Sequence, residues 1–544
     1  MSASPRRREL LLDVGLLLLA PIAIVLLFAA LGASGGAFAL RVEHSGEDYN
    51  WLRILGAQGA AQKAHAFWTL DWRNPLSPWW YIFSERIYLT TPGGPLALRL
   101  VASPLLGLSA YFALQASSGW RCRGLALGIG IVAAGWTFGY STDHVVWNIL
   151  GACALSLLCV GSYATSFQNG RRSVGWYGLA LTLWIAAFAT YAFQTGAILA
   201  VALLAWLHAT PTASLGRRIA AAVAEVAPFG LVAVLFLLVW ITTRHPSLGE
   251  ATALVPARLL GTMPASLRHG LWPGEYTSFA VLAWTRLGSG LAALMAVTGL
   301  AVALLVGRAA SGARATTACD ALMVLAIGIC LVLPTLIIES TSLTWTAGTR
   351  WRMVHQFWLP LFWLTSLALL LAALPLGDKV RRWGLAGGTG MAAAVTLSAS
   401  LGHNSLQVTL SEAQRSLRNG LGPIMAASAD PVSLLILVEG DVPWLTAESL
   451  PDVVPAVWFR GRDVGMRVLR RGPPYTPHYG VWRGVHLTDD AVLNIRNGGG
   501  AASYAATRIL RFDGHSVVLP KVITEAGVAG YPIEWRRAAP LTQP

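Results

Sequence analysis

Apolar positions in this chain neither alternate nor return on a single helical face. They come as unbroken runs of about twenty residues, the length an α-helix needs to cross the ~30 Å hydrocarbon core of a bilayer. Eleven runs can be marked, at approximately 10–31, 96–116, 124–141, 145–167, 174–190, 191–209, 219–241, 279–306, 319–338, 353–374 and 384–401. Most are joined by short polar connectors, but residues 32–95 and 402–544 form two much longer intervals. The pattern predicts an all-α polytopic membrane protein of about 11 transmembrane helices over residues 1–401, with a soluble tail over 402–544.

Composition agrees. The chain is 55% hydrophobic and 12% charged, with a mean hydropathy of +0.56, where soluble domains carry about 25% charged residues. The formal net charge of +14 is resolved by position. Arg6-Arg7-Arg8, Arg121/Arg123, Arg171-Arg172, Arg217-Arg218, Arg308/Arg314 and Lys379/Arg381/Arg382 fall in every second gap, as the positive-inside rule requires of cytoplasmic loops. One topology satisfies all six clusters: N-terminus inside, C-terminus outside, and residues 32–95, 142–144, 242–278, 339–352 and 402–544 on the outer face. The basic excess is therefore a topology signal, and nucleic acid is excluded as a partner. Residues 10–31 exceed the 7–15 apolar residues usual in a signal peptide, so this first run is expected to stay as an anchor. Cys122, Cys153, Cys159, Cys319 and Cys330 all lie in spans or at their cytoplasmic edges. The outer regions are thus built without disulfides, and no cysteine spacing suggests zinc or redox chemistry.

The outer loop 32–95 carries helical stretches at about 47–70 and 76–89, split by Asn74-Pro75. Trp51, Trp68, Trp72, Trp79, Trp80 and Tyr81 suit helices lying at the membrane surface, where amphipathic rings settle. In the tail, 14 basic residues stand against 12 acidic ones. A helix is expected at 411–427, and strands at 432–438, 455–459, 491–496, 505–511 and 516–523, which make an extracytoplasmic α/β domain.

Chemistry concentrates on the outer side. Glu47 and Asp48 follow the first span; a carboxylate there can take a proton from an attacking hydroxyl or hold a divalent cation against a phosphate. The alternative is a cap on the helix that follows, since acids are favoured at helix N-termini. Asp143 and His144 occupy a short turn between two spans, too short to leave the membrane surface. Arg350 and Arg352, with Trp351 between them and His355 beyond, begin a late span. An arginine fork suits a lipid phosphate, and headgroup anchoring is the other use of such residues. Tyr191 and Gln194 sit near the outer end of the sixth span, where polar side chains also serve helix packing. Arg244-His245, Arg258, Arg268-His269 and Glu275 are weaker candidates in the 242–278 loop.

This arrangement resembles the GT-C superfamily of integral-membrane glycosyltransferases, which includes the protein mannosyltransferases that use dolichyl-phosphate-mannose and the bacterial transferases that place aminoarabinose on lipid A. The resemblance rests on the acidic pair after span one, Asp143 in the second outer loop, the stretch Gly348-Thr349-Arg350-Trp351-Arg352 beside a late span, and a terminal outer domain. It implies inverting transfer of a sugar from a polyprenyl-phosphate donor to an acceptor hydroxyl of the cell envelope, at the outer face of a bacterial inner membrane. Asp48 or Glu47 would be the general base, and Asp143 would position acceptor or cation. Arg350 and Arg352 would hold the lipid phosphate, with His355, His144, Tyr191 and Gln194 beside the substrates. No cofactor is certain; a Mg or Mn ion, if used, would sit on Glu47, Asp48 and Asp143. The chain departs from the family where Trp351 replaces a frequent Tyr and Gln194 a frequent acid.

Two rivals remain. An O-antigen ligase or polymerase carries its large outer loop between late spans, whereas here the long regions follow spans one and eleven. A transporter or lipid flippase is expected to show charges at mid-membrane depth and inverted repeats, neither of which the chain displays.

Overall fold

The computed structural model describes residues 5–33, 94–118, 121–140, 144–167, 172–190, 196–208, 214–243, 256–271, 274–311, 315–341 and 351–430, together with Leu76. Of the tail it describes 432–438, 458–459, 461–470, 507–513 and the strand pairs at 517–518, 523–524, 527–528 and 531–532. Apart from Leu76, the expected surface helices at 47–70 and 76–89 and the strand at 491–496 lie outside the described residues.

Long apolar runs become helices because a helix satisfies every backbone N–H and C=O within itself, which hydrocarbon demands. They are α1 (Pro5–Ala33), α2 (Gly94–Ser118), α3 (Arg123–Tyr140), α4 (His144–Thr165), α5 (Val174–Thr190), α6 (Gly196–His208) and α7 (Leu215–Thr243). After these come α8 (Leu259–Leu271), α9 (Gly274–Leu287), α10 (Ser289–Ala309), α11 (Ala318–Thr341), α12 (Trp351–Ala373) and α13 (Asp378–Ala426). Six described helices are long and apolar enough to cross a membrane, and five shorter ones are comparably apolar. Pro228 and Pro334, which break helices in water, lie inside continuous α7 and α11.

Three boundaries differ from the sequence expectation. The run 279–306 is two helices, because Gly288 takes a φ of 53° between α9 and α10, a left-handed conformation open to glycine. Conversely, the run 384–401 and the helix expected at 411–427 are one 49-residue helix, α13, since the polar stretch Gly402–Leu410 contains no proline to stop it. Within the loop 242–278, α8 packs on α11 and α12. Near its start the Thr262 hydroxyl donates to the Ser340 carbonyl, and at its end the Trp363 indole donates to the Leu271 carbonyl at 3.1 Å.

In the helical unit α2, α3 and α4 are central. Leu125, Ala126, Leu127, Ile129 and Ala133 of α3 are fully buried, as are Cys159, Val160 and Tyr163 of α4. The outward faces of α1, α7 and α10 are apolar and exposed, including Leu11, Leu19, Leu26, Val223, Leu231 and Val297. These are the lipid-facing surfaces. Because lipid tails are as apolar as leucine, helices join here through close backbone approach. A Cβ on Gly107 of α2 would meet the Gly130 carbonyl of α3 at 2.7 Å, and Gly196 and Gly402 leave no room for one against Leu331 and Phe279.

The chain from Ser405 onward belongs to a second compact unit. It contains the end of α13, where Leu417, Leu421 and Met425 are buried at helical spacing. Strands β1 (Val432–Val438), β2 (Val464–Arg470), β3 (Thr507–Phe512) and β4 (Val517–Val518) form a sheet in the order β2-β1-β3-β4. Both neighbours of β1 run parallel to it, with Val432 opposite Val464 and Ser433 opposite Thr507. β1 occupies the expected range, whereas β2 was not anticipated: Arg467 and Arg470 interrupt its apolar pattern. Of the strand expected at 455–459 only Trp458 and Phe459 are described, and they lead into a turn. Arg462 joins that turn to the end of α13, donating to Asp430 at 2.6 Å and to the Ser428 and Met425 carbonyls at 2.7 and 3.0 Å. Strands β5 (Ile523–Thr524), β6 (Gly527–Val528) and β7 (Tyr531–Pro532) make a small antiparallel sheet.

Candidate functional site

Side-chain contacts fix which helix ends lie together. Asp13 near the start of α1, Tyr111 and Gln115 in the second half of α2, and Arg123 at the start of α3 form one hydrogen-bonded network. Gly161 of α4 lies against Phe112 and Ala113 of α2, and Phe167 just past α4 stacks on His208 at the end of α6, 5.1 Å between ring centres. Arg218 at the start of α7 donates to the Trp206 carbonyl at 3.1 Å. Gly124 of α3 lies by Ala310, past α10, and by Leu385 of α13. Arg123, Arg172, Arg218, Arg308, Arg381 and Arg382 thus all stand at one end of the bundle, the basic end.

The other end follows from helix direction. It collects the ends of α1, α3, α5 and α11 and the starts of α2, α4, α6 and α12. These are the helix ends that flank the predicted site residues. Leu76, in the interval after α1, donates its amide to the Ala189 carbonyl at the end of α5, 3.0 Å away. Glu47, Asp48, Asp143, Tyr191, Gln194 and Arg350 themselves lie outside the described residues. His144 is the first residue of α4, and Arg352 and His355 lie in the first two turns of α12; no side-chain geometry is described for them.

Toward that same end the described residues add polar groups that the sequence reading passed over. Arg99 in the second turn of α2 is 1% exposed, and Ser103, one turn on, is fully buried. His403 of α13 meets Phe279 of α9 edge-on at 5.2 Å. The signal for Arg99 was present: an arginine inside the run Leu96–Leu106, at the end of a span where the positive-inside bias disfavours one.

Asp13 was also missed. Its carboxylate is fully buried and accepts from Arg123 through Nε at 2.7 Å and Nη2 at 2.9 Å, and from the Tyr111 hydroxyl at 2.5 Å. Arg123 reaches Glu9 as well, at 3.0 Å. An intramembrane acid demands an explanation, and these bonds supply one. A carboxylate already forked by an arginine and bonded by a phenol is engaged in joining α1 to α2 and α3, leaving it poorly placed to move protons. On α7, Glu225 similarly pairs with Arg172 at 2.9 Å, and its carbonyl accepts from Tyr177.

The cysteines offer a probe of orientation at the basic end. Cys122, in the turn before α3, is held by burial at a pKa of about 12, with Asp320 adding to the shift. It therefore stays a protonated, unreactive thiol near neutral pH. Cys319 is exposed at the start of α11. A membrane-impermeant maleimide at neutral pH is expected to label Cys319 and spare Cys122, in inverted membrane vesicles and not in right-side-out ones. Labelling from the outer side would reverse the predicted topology.

Fold and packing together define a mostly helical, multi-pass membrane protein. No family model matches the chain, and no curated protein matches it. Among solved structures it is similar to the crystal structure of ArnT from Cupriavidus metallidurans bound to undecaprenyl phosphate, at 13% identity over 80% of this chain and 84% of that one, with a TM-score of 0.36. The apo form of that protein aligns at 15% identity over 77% and 83% of the two chains, with a TM-score of 0.31. Likenesses this low assign neither chemistry nor residue roles.

Proposed function

We propose that this protein is a glycosyltransferase that moves a sugar from a polyprenyl-phosphate donor to an acceptor hydroxyl on the outer face of the membrane. What supports the reading is that the end of α1, the last described helix before Glu47-Asp48, the start of α4 after Asp143 and the start of α12 after Arg350 lie at one end of the helical unit. The network at Asp13 and the contacts of Gly124 set those helix directions.

In this reading Asp48 takes the proton from the acceptor hydroxyl as its oxygen attacks the anomeric carbon. The bond from that carbon to the phosphate oxygen breaks with inversion, and the negative charge stays on the lipid phosphate. Arg350 and Arg352 offset that charge with planar forks suited to phosphate, and Arg99 adds a buried cation toward the same end. Glu47 and Asp143 orient the acceptor, while His144, His355, Tyr191 and Gln194 line the approach. A Mg or Mn ion, if used, would be held by Glu47, Asp48 and Asp143, which lie outside the described residues. The cell envelope supplies the acceptor, the bacterial inner membrane is the location, and the unit from Ser405 onward is an α/β domain on the outer side.

The test is transfer from radiolabelled polyprenyl-phosphate sugars, hexosyl and pentosyl, in membranes containing the protein. Label is expected to move into an envelope lipid, glycan or protein. Transfer of a preassembled glycan instead, from a diphosphate carrier, would favour the ligase or polymerase. No transfer from any lipid-linked donor would favour a transporter or flippase.

A further inference from the structure

Arg99, 1% exposed, stands on a stripe of α2 with Ser103, Leu106 and Ala110, all buried. Helix α2 packs along both α3 and α4, and its contacts fix where this stripe points. Gly107 lies against Gly130 and Ala134 of α3, and Ala113 lies against Gly161 of α4. At about 100° per residue the Arg99 stripe falls between those two lines, so it faces the groove between α3 and α4. The same contacts give its depth. Arg99 lies two turns before Gly107, and two turns beyond Gly130–Ala134 the antiparallel α3 ends at Tyr140. Counted back alongside α2 from Gly161, the parallel α4 is in its first turn at the level of Arg99. Arg99 is therefore level with the two helix ends that residues 141–143 join, and Asp143 is the last of these.

An arginine held there is disfavoured twice, by the positive-inside bias and by burial, and a buried guanidinium is kept where an opposite charge meets it. Glu9, Asp13 and Glu225 are paired at the basic end. Asp143 is the acid that connectivity ties to this groove, one peptide bond before the first residue of α4. Glu47 and Asp48 stand fourteen and fifteen residues beyond Ala33, the end of α1, and are tied to no such place. Side chains on a helix lean toward its N-terminus, and α2 starts at the outer end, so Arg99 leans toward the connection. An acid just before a helix is also favoured by the helix dipole, so the start of α4 and Arg99 both favour the charged carboxylate.

We propose that Arg99 pairs with Asp143 and is its positioning residue, keeping the carboxylate ionised and fixed at the outer mouth of the α3–α4 groove. Held in one orientation, that carboxylate accepts a hydrogen bond from the acceptor and aligns it. Arg99 thus acts on transfer through Asp143, while Arg350 and Arg352 meet the lipid phosphate. The role rests on the proposed transfer reaction, whereas the pair stands without it.

The test begins with the full chain purified in detergent and needs no assay of transfer. Asp143→Asn and Arg99→Gln are each expected to lower the melting temperature, and the double variant to lie no lower than the worse single one. Asp48→Asn and Glu47→Gln are expected to leave it unchanged. An unchanged melting temperature in Asp143→Asn, a result that requires no Arg99 variant to fold, would overturn the pair. So would additive losses, or a loss at Asp48 or Glu47 as large as that at Asp143. In membranes, Asp143→Asn and Arg99→Gln are each expected to raise the acceptor KM about tenfold and to leave the donor KM in place. Arg99→Lys, which keeps the charge, is expected to recover most of that loss. A rise in donor KM instead would overturn the positioning role and give Arg99 to the lipid phosphate. Coupled unfolding in a protein that transfers from no lipid-linked donor would keep the pair and overturn its role together with the reaction.

Discussion

Asp48→Asn is expected to lower sugar transfer by about 10²–10⁴-fold, the usual contribution of a positioned general base. The amide keeps the size and polarity of the side chain but cannot take up a proton at neutral pH. Glu47→Gln is expected to cost less, since Glu47 is assigned to orienting the acceptor. Initial rates with saturating labelled donor, normalised to protein in the membrane, give the comparison. Wild-type rates from the Asp48 variant would sink the base assignment, and a larger loss at Glu47 would exchange the two roles. Because the change removes a charge without altering side-chain size, the purified Asp48 variant should unfold at the wild-type temperature.

The opposite signature is expected at Asp13. Asp13→Asn removes the buried partner of Arg123, 3% exposed, and leaves it only the part-exposed Glu9, so the cost approaches the about 3–5 kcal/mol of breaking a buried pair. Tyr111 loses its charged acceptor in the same step. Thermal unfolding in detergent should show a markedly lower midpoint, with transfer per folded molecule preserved. Replacing both members, Asp13→Leu with Arg123→Met, is expected to be milder than the single change, because no uncompensated buried charge then remains and Glu9 is 39% exposed. A single variant as stable as wild type would show that the network contributes little. Loss of transfer with full stability would give Asp13 a chemical role that its hydrogen bonds argue against.

Much of the helical unit is legible in sequence because the bilayer imposes a length. The runs beginning at residues 10, 96, 124, 145 and 174 became α1 to α5 to within a few residues at the ends described. Strand β1 was legible for a related reason: Val432–Val438 is a continuous apolar run, as a strand paired on both edges requires. Local chemistry that does not alter hydropathy was harder to read. Gly288 reads as one more small residue in an apolar run until its φ is known. The stretch Gly402–Leu410 reads as a connector because it is polar, but a helix continues through polar residues if nothing breaks it. Asp13 and Arg99 were overlooked because single charges near the ends of long apolar runs barely alter the hydropathy, and their partners lie far off in sequence, as Arg123 does from Asp13.

The sequence by itself determined that this is a multi-pass helical membrane protein, where its basic clusters fall and which residue types are available for chemistry, because hydropathy and charge act residue by residue. Only the tertiary structure decided which helix ends meet. The Asp13–Arg123 fork, the Gly107–Gly130 approach and the Thr262–Ser340 bond are pairings at a distance, and they depend on the geometry of side chains and backbones brought together by packing. Through them the end of α1 and the starts of α2, α4 and α12 fall at one end of the helical unit, and the basic residues Arg123, Arg218 and Arg308 at the other.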